Sequence, residues 1–386
     1  MAENRIAGID LVRGIVMIIM PLDHVRDLIH ESSLTQSPTD LTSTNTILFF
    51  TRWITHLCAP VFVFLAGASV YRMFLKQNSL TLTRAFLFKR GIFLIVLEFL
   101  VVNTIIYFDL SFHNLLFEVI AAIGFGFITL SFLLKWRLQT ILLLGLSSVC
   151  LHDALRVVPA STATTILSPL FTISQYPLFG DRILTIAYPP IPWLGIMLIG
   201  YASGKLFSSA HEKRNQTFKQ IGWGTLLGFV ALRYLNLYGD PAPWTSQENI
   251  TFTILSFINI SKYPPSLLFS MLTLGIMFLL LAYAEKVGEK TVGIISAYGR
   301  VPLFYFIIHF LLIHLLLLVI LYWQGFSWSA LSFASGTFGR PTGVTSGLTL
   351  PYIYLIWLVI VALLYRPCIW FASYKARSQS KLIKYL

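Results

Sequence analysis

Charge is what this chain has least of. Only 11% of its 386 residues are Asp, Glu, Lys or Arg, where a soluble domain carries about 25%, and 56% are hydrophobic. A water-soluble globular protein is excluded. Cysteine is nearly absent as well. Cys58, Cys150 and Cys368 have no paired spacing, so neither a disulfide framework nor a thiolate metal centre is expected. No HExxH, no glycine-rich phosphate loop and no nucleophile elbow occurs, which leaves zinc-hydrolase, ATP-driven and serine-hydrolase chemistry without support. No convincing long internal repeat is found. The first apolar run is followed by charge, not by a small-residue cleavage site, so a retained first helix is expected.

What is present is apolar and helical. Such stretches fall near 9–30, 46–75, 84–108, 112–134, 138–157, 184–207, 218–237, 265–285, 301–322 and 351–371, and a crossing takes roughly 20 mostly apolar residues. The chain therefore reads as all-α: a polytopic helical membrane bundle of about ten transmembrane helices, one integral-membrane domain over 1–386. With the N-terminus inside, 20 of the 28 Lys and Arg fall on the cytoplasmic side, seven outside, and Arg13 within the membrane. That bias predicts both termini in the cytoplasm and explains the net charge of +12 without any nucleic acid. The long connections 32–45, 159–182, 238–263 and 324–350 then lie outside. Function gathers on longer loops, so an extracytoplasmic acceptor is expected. Two of them end in Tyr-Pro-Pro, at 188–190 and 263–265. These read as helix starts, because proline suits the first turn.

The first helix is the anomaly. In IDLVRGIVMIIMPLDHVRDLIH (9–30) the apolar run 15–22 is too short to span a bilayer. Arg13 precedes it; Asp23, His24, Arg26 and Asp27 follow it. Helical residues eleven apart share a face, about 16 Å apart along the axis. Arg13 and His24 thus look the same way, with Met17, Met20 and Pro21 between them. Charge facing lipid costs several kcal/mol, so this face is expected to line a cavity and to floor an intramembrane active site. His24 can take a proton from a hydroxyl or amine near neutral pH. Asp23 and Asp27 are close enough to orient it or balance its charge. The plainer alternative is a structural His–Asp–Arg cluster with Arg26 and Asp27 in water. Arg13 either reaches lipid phosphates or holds an anionic ligand from the cytoplasm, and its shared face with His24 favours the second.

Further candidates lie on later helices. In LFFTRWITHLCAPVFVFLAGAS, Arg52 and His56 are one turn apart. Pro60 interrupts that helix, which is tolerated where a cavity is lined, and Gly67, Ala68 and Ser69 permit close helix approach. His56 is a second candidate for proton transfer or acceptor binding. Glu98, Asn103 and Glu118 could converge, either catalytically or as partners for Arg13 or Arg52. In RVPLFYFIIHFLLIH, His309 and His314 lie on different faces, which argues against a shared metal. His309 is read as pocket-lining and His314 as structural.

Five stretches together resemble a known family: GIDLVRGIVMIIMPLDHVRD, RWITHLCAPVFVFLAGAS, YPPIPWLGIMLIGYASGKLF, KYPPSLLFSMLTLG and GRVPLFYFIIHFLLIH. They look like the uncharacterised bacterial membrane proteins grouped with the heparan-α-glucosaminide N-acetyltransferase catalytic domain. These belong to a wider transmembrane acyltransferase superfamily that includes the acyltransferase-3 proteins. The resemblance spans nearly the whole chain. In that superfamily a basic residue, ten intervening residues and a histidine mark the catalytic helix, the spacing of Arg13 and His24. The resemblance implies acetyl-CoA as acyl donor from the cytoplasm and a sugar or glycolipid acceptor outside. It implies Arg13 as a donor ligand, His24 as base, and Arg72, Lys76, Arg84, Lys89, Arg90 and Arg300 as the place for the nucleotide phosphates. The same cluster is also ordinary positive-inside charge. Two departures stand out. FLAGAS replaces the Ser-Gly phrase of acyltransferase-3 proteins. In the eukaryotic lysosomal members the catalytic histidine lies in the loop after the first helix, where His30 is the nearest counterpart here. The base is His24 or His30, with His24 preferred.

The expected function is an integral-membrane acetyltransferase of a bacterial plasma membrane, with no metal. His24, Asp23 and His56 are the catalytic candidates. Arg13, Arg72, Arg84, Arg90 and Arg300 are the donor-binding ones, and Asp27, His30, Arg52 and His309 the acceptor-binding ones. Attack on the thioester is direct or passes through an acetyl-histidine; a homodimer is left open. The rival is a proton-coupled transporter or flippase of a small metabolite or glycan, which buried Arg, His and Glu would serve equally well.

Overall fold

Pro60 marks the first structural decision along the chain. α1 (Ala7–Ile29) is followed by α2 (Thr46–Trp53), which tightens into a 3-10 turn at Ile54–Leu57 and continues as α3 (Cys58–Gln77). The turn falls where Pro60 withdraws the N–H that an α-helix would offer to the His56 carbonyl. α4 (Leu80–Leu97) runs through a π turn at Glu98–Val102 into α5 (Asn103–Tyr107). β1 (Asn114–Phe117) leads to α6 (Val119–Leu133), α7 (Leu138–Leu151) and α8 (Thr162–Phe171). β2 (Ser174–Pro177) and β3 (Ile183–Ile186) precede α9 (Pro190–Ser203) and α10 (His211–Leu235). Then come α11 (Ile250–Ile258), α12 (Leu267–Tyr283), α13 (Glu289–Gly299), α14 (Pro302–Trp323) and α15 (Leu350–Arg377). This computed structural model describes residues 7–157, 162–334 and 336–380, with Ile383 and Tyr385.

Among the described residues four helical segments are long and apolar enough to cross a membrane: Thr46–Gln77, Leu267–Lys286, Pro302–Trp323 and Leu350–Arg377. Val119–Leu133 and Leu138–Ala154 are apolar but shorter. The chain is mostly helical, but the all-α expectation needs correcting. β3 pairs in parallel with β1, Asn114 opposite Ile183, and antiparallel with β2. β1 and β3 fall at the starts of the stretches 112–134 and 184–207, and β2 lies in the connection 159–182. Short apolar runs such as Leu115–Phe117 have no period that separates strand from helix. Tyr188-Pro189-Pro190 then blocks any helix from extending backward, because a residue before proline avoids helical dihedrals. Pro190 does open α9. At the second Tyr-Pro-Pro the start falls later, and Ser266 caps α12 by accepting the Phe269 N–H. The helices α8, α11 and α13 lie in stretches read from the sequence as connections.

α1 lies at the centre, against α13, α14 and α15, while α3 packs on α9, α4 on α6 and α10 on α12. Its internal Pro21 leaves the ladder incomplete, and side chains serve neighbouring carbonyls: Cys58 Sγ donates to Val16 O and Trp357 Nε1 to Ile18 O at 2.7 Å. Two crossings depend on bare backbone. A Cβ on Gly14 would sit 2.1 Å from Ile295 O, and one on Gly67 would sit 2.1 Å from Met197 O. These atoms belong to rigid helices, so Gly67→Ala is expected to lose about 1–3 kcal/mol. A lowered thermal midpoint in detergent checks this; an unchanged midpoint would mean α3 and α9 can part without penalty.

Arginines tie down the ends of the bundle. Arg340 is 1% exposed and donates to His30 O, Ser33 Oγ, Glu31 O and Ser346 O. Arg233 donates to Phe257 O, Ala242 O, Ser256 O and Asn259 O. Loop carbonyls that would otherwise be buried without partners are thereby satisfied.

Candidate active site

One stripe of α1 faces empty space along nearly its whole length. Asp10, Arg13, Met17, Met20, His24 and Asp27 recur at helical spacing and line a single cavity of about 590 Å³. From Asp10 to Leu28, which also lines it, is about 27 Å of helix axis. That volume spread over that length makes a shaft, not a chamber. The opposite wall is a matching stripe of α2 and α3 containing Arg52, Thr55, Ala59, Phe62, Ala66 and Ser69. α4, α6 and α14 supply most of the remaining wall, with single residues from other elements such as Tyr107, Tyr188 and Lys375.

The end near Arg13 is cationic. Arg13 Nη2 donates to Leu65 O at 3.0 Å and to Ser69 Oγ at 2.8 Å, which holds the guanidinium between α1 and α3. Arg90 lines the same space, its guanidinium over the rings of Phe86 and Phe127. Its Nε is buried and has no hydrogen-bond partner among the described residues. Arg300 and Lys375 complete this end. Polyanionic groups suit such a set.

The other end is an ion-pair lattice. Asp23 Oδ1 accepts from Arg26 Nη2 at 2.5 Å and its Oδ2 from Arg52 Nη1 at 2.7 Å, with Lys262 Nζ 3.9 Å away. Asp27 accepts from Arg26 at 2.6 Å and lies 3.6 Å from Arg52. Arg26 is 1% exposed: it is buried inside the lattice, not in water. A second pocket of about 390 Å³ adjoins this end, lined by Ser37–Thr39, His56 and residues 259–263. Asp27, Arg52, Lys262 and Tyr263 border both spaces, so the lattice is a neck between them.

His24 sits at the inner side of that neck. Its ring lies 4.8 Å from the Phe310 ring and 5.2 Å from that of His309 by centroid. Among the described residues it makes no side-chain hydrogen bond, and Asp23 turns to Arg26 and Arg52, not to it. An imidazole held by apolar rings and open to a shaft can exchange a proton with whatever occupies that shaft.

The cavity gathers Arg13, Asp23, His24, Asp27, Arg52, Arg90 and Arg300. It does not gather the rest. Arg72 lies off it, and Arg84 lies over the Phe132 ring, 5.0 Å from its centroid. His30 Nδ1 is 3.0 Å from Ser32 Oγ, inside its own loop. His56 lines the second pocket, its ring against Phe269. His309 stands behind His24, not on the shaft. Glu118 lines the shaft at the start of α6. Glu98 is fully buried and accepts the Ala121 N–H. Asn103 secures β1 by donating to Leu116 O and accepting from Leu116 N.

The profile of a family described as heparan-alpha-glucosaminide N-acetyltransferase, catalytic, matches residues 5–238. The chain belongs to that family. It is therefore an integral-membrane protein of an acetyltransferase family, and the Arg13–His24 face lies within the matched stretch. The match ends after α10, so Lys262, Arg300, His309 and Lys375 lie beyond it. No curated protein matches the sequence. In the sequence Lys262 and Lys375 read only as topology charge; nothing local distinguishes a basic residue that reaches a cavity from one that meets lipid headgroups.

Proposed function

We propose that this protein moves an acetyl group from acetyl-CoA in the cytoplasm to a sugar or glycolipid acceptor outside, with His24 as base. The observation that carries the reading is the shaft, cationic at one end and bearing near the other an imidazole with no hydrogen bond among the described residues. The basic-residue bias supports the same orientation. Arg90, Arg300 and Lys375 fall in the set expected inside, and Arg26, Arg52 and Lys262 in the set expected outside, within a bundle of about ten spans with both termini in the cytoplasm. The membrane is then the plasma membrane of a bacterium.

The orphaned Nε of Arg90 and the cations beside it fit the phosphates of the donor. The slender thioester arm lies along the α1 face, past Met17 and Met20, and brings the acetyl carbonyl to His24. The acceptor comes through the second pocket and the neck. Its O–H or N–H proton passes to the imidazole as oxygen or nitrogen bonds to the carbonyl carbon. The C–S bond breaks, and the thiolate takes the proton back. Alternatively, the imidazole first takes the acetyl group itself.

Purified protein should gain thermal stability with acetyl-CoA, about 2.7 kcal/mol at some 100 times the Kd, and should acetylate an amino sugar. Arg90→Ala should weaken donor affinity about 10-fold, the usual scale for a charge-assisted contact. No stabilisation by acetyl-CoA, with uptake of a solute into vesicles instead, would overturn the reading in favour of a carrier.

A further inference from the structure

His24 has a neighbour that the acyl-transfer reading does not use. His309 on α14 is fully buried, and its Nδ1 lies 2.8 Å from the Tyr305 carbonyl oxygen. A carbonyl oxygen only accepts, so Nδ1 carries the proton and Nε2 is left as a bare acceptor. That Nε2 is buried and has no hydrogen-bond partner among the described residues. An unmet buried acceptor is costly and calls for an explanation. The ring is also fixed in place, stacked on Tyr305 at 5.2 Å and 18°.

Two rings that carry a donor lie beside it: Tyr305, whose buried hydroxyl also has no partner among the described residues but whose ring is stacked parallel to His309, and the His24 imidazole, 5.2 Å away by centroid and tilted 46°. His24 for its part lacks a group to orient it. Both carboxylates beside it on α1 are committed to Arg26 and Arg52. Lys262 and Arg52, the nearby cations, can only donate. A 5.2 Å centroid separation is short enough for two imidazole nitrogens to meet once His24 turns about its soft terminal torsion.

We propose that His309 is the positioning residue of His24: its Nε2 accepts the His24 N–H, which fixes the tautomer and leaves the other His24 nitrogen facing the shaft as base. His309 then does for this imidazole what a buried carboxylate does in a Ser-His-Asp triad, but as a neutral group suited to an apolar wall. The proposal rests on the acyl-transfer reading with His24 as base. It does not follow from the family match, which ends before α14.

The test uses the full-length protein with acetyl-CoA as donor and glucosamine as acceptor. His309→Phe keeps the ring volume and removes the acceptor. It should lower kcat on the order of 10-fold to 100-fold, the scale for losing a group that orients a working imidazole, with KM for acetyl-CoA unchanged and the thermal midpoint not lowered. His309→Gln restores an acceptor near the Nε2 position and should recover part of kcat. A wild-type kcat in His309→Phe, or a Gln variant no better than Phe, overturns the proposal while leaving the acyl-transfer reading intact. No transfer by the wild-type protein overturns both. Should His309→Phe fail to fold, the wild-type protein still decides: ¹⁵N-histidine NMR should show His309 protonated on Nδ1 alone, and a proton on Nε2 overturns the assignment.

Discussion

Replacing His24 with alanine is expected to lower acetyl transfer 10²-fold to 10⁴-fold, the range lost with a positioned general base, while the protein stays folded. The second half of that expectation is structural. His24 makes no side-chain hydrogen bond among the described residues, and its contacts are ring faces of Phe306, His309 and Phe310. Its removal therefore breaks no ion pair and strands no buried charge. Donor affinity should hold, because the groups that suit the phosphates lie some 16 Å along α1. His30→Ala is the control: that ring is turned to Ser32 and should not affect kcat. Retained turnover in His24→Ala would remove it as the base, and loss in His30→Ala would move the role to the loop.

Asp23→Ala should be the most destabilising single change. Asp23 is the only carboxylate within hydrogen-bond distance of both Arg26 and Arg52 among the described residues, and Arg26 has almost no access to solvent. Without Asp23, the only carboxylate left to Arg26 among the described residues is Asp27, whose side chain is 38% exposed, with the Thr51 hydroxyl as a neutral acceptor at 3.3 Å. Breaking a buried pair by removing one partner costs about 3–5 kcal/mol, whereas replacing both with apolar groups is often neutral. Asp23→Ala should thus lower the thermal midpoint sharply, and adding Arg26→Met should restore much of it. A midpoint indifferent to Asp23→Ala would show that the lattice contributes geometry and not stability.

The parts of the site that were legible in the sequence are those fixed by one helix. Arg13, Met17, Met20, His24 and Asp27 face the same space because 3.6 residues make a turn, whatever packs against them. Pro60 and Gly67 announced a tightened turn and a close crossing for equally local reasons. What depended on tertiary structure was not legible. His30, Arg72 and Arg84 do not line the shaft, whereas Lys375 does without a local sign of it. Asp23 adjoins His24 in the chain, but successive helical residues point about 100° apart, so it serves Arg26 and Arg52. His309 could be placed on a helix but not behind His24, since that juxtaposition comes from the packing of α14 on α1. β1 and β3 were hidden because three or four largely apolar residues carry no period, and β2, Ser174–Pro177, has no apolar run at all.

The continuity of α1 has a further consequence. Arg13, at the cationic end, and His24, placed at the reacting carbon, belong to one unbroken helix, stiffened where Pro21 would have softened it by the side chains of Cys58 and Trp357. The helix therefore acts as a gauge. Its pitch sets the reach a donor must have, and a carrier too short or too long would satisfy one end only. Selectivity for the handle is thus written into a backbone dimension, independent of any contact with the acyl group itself.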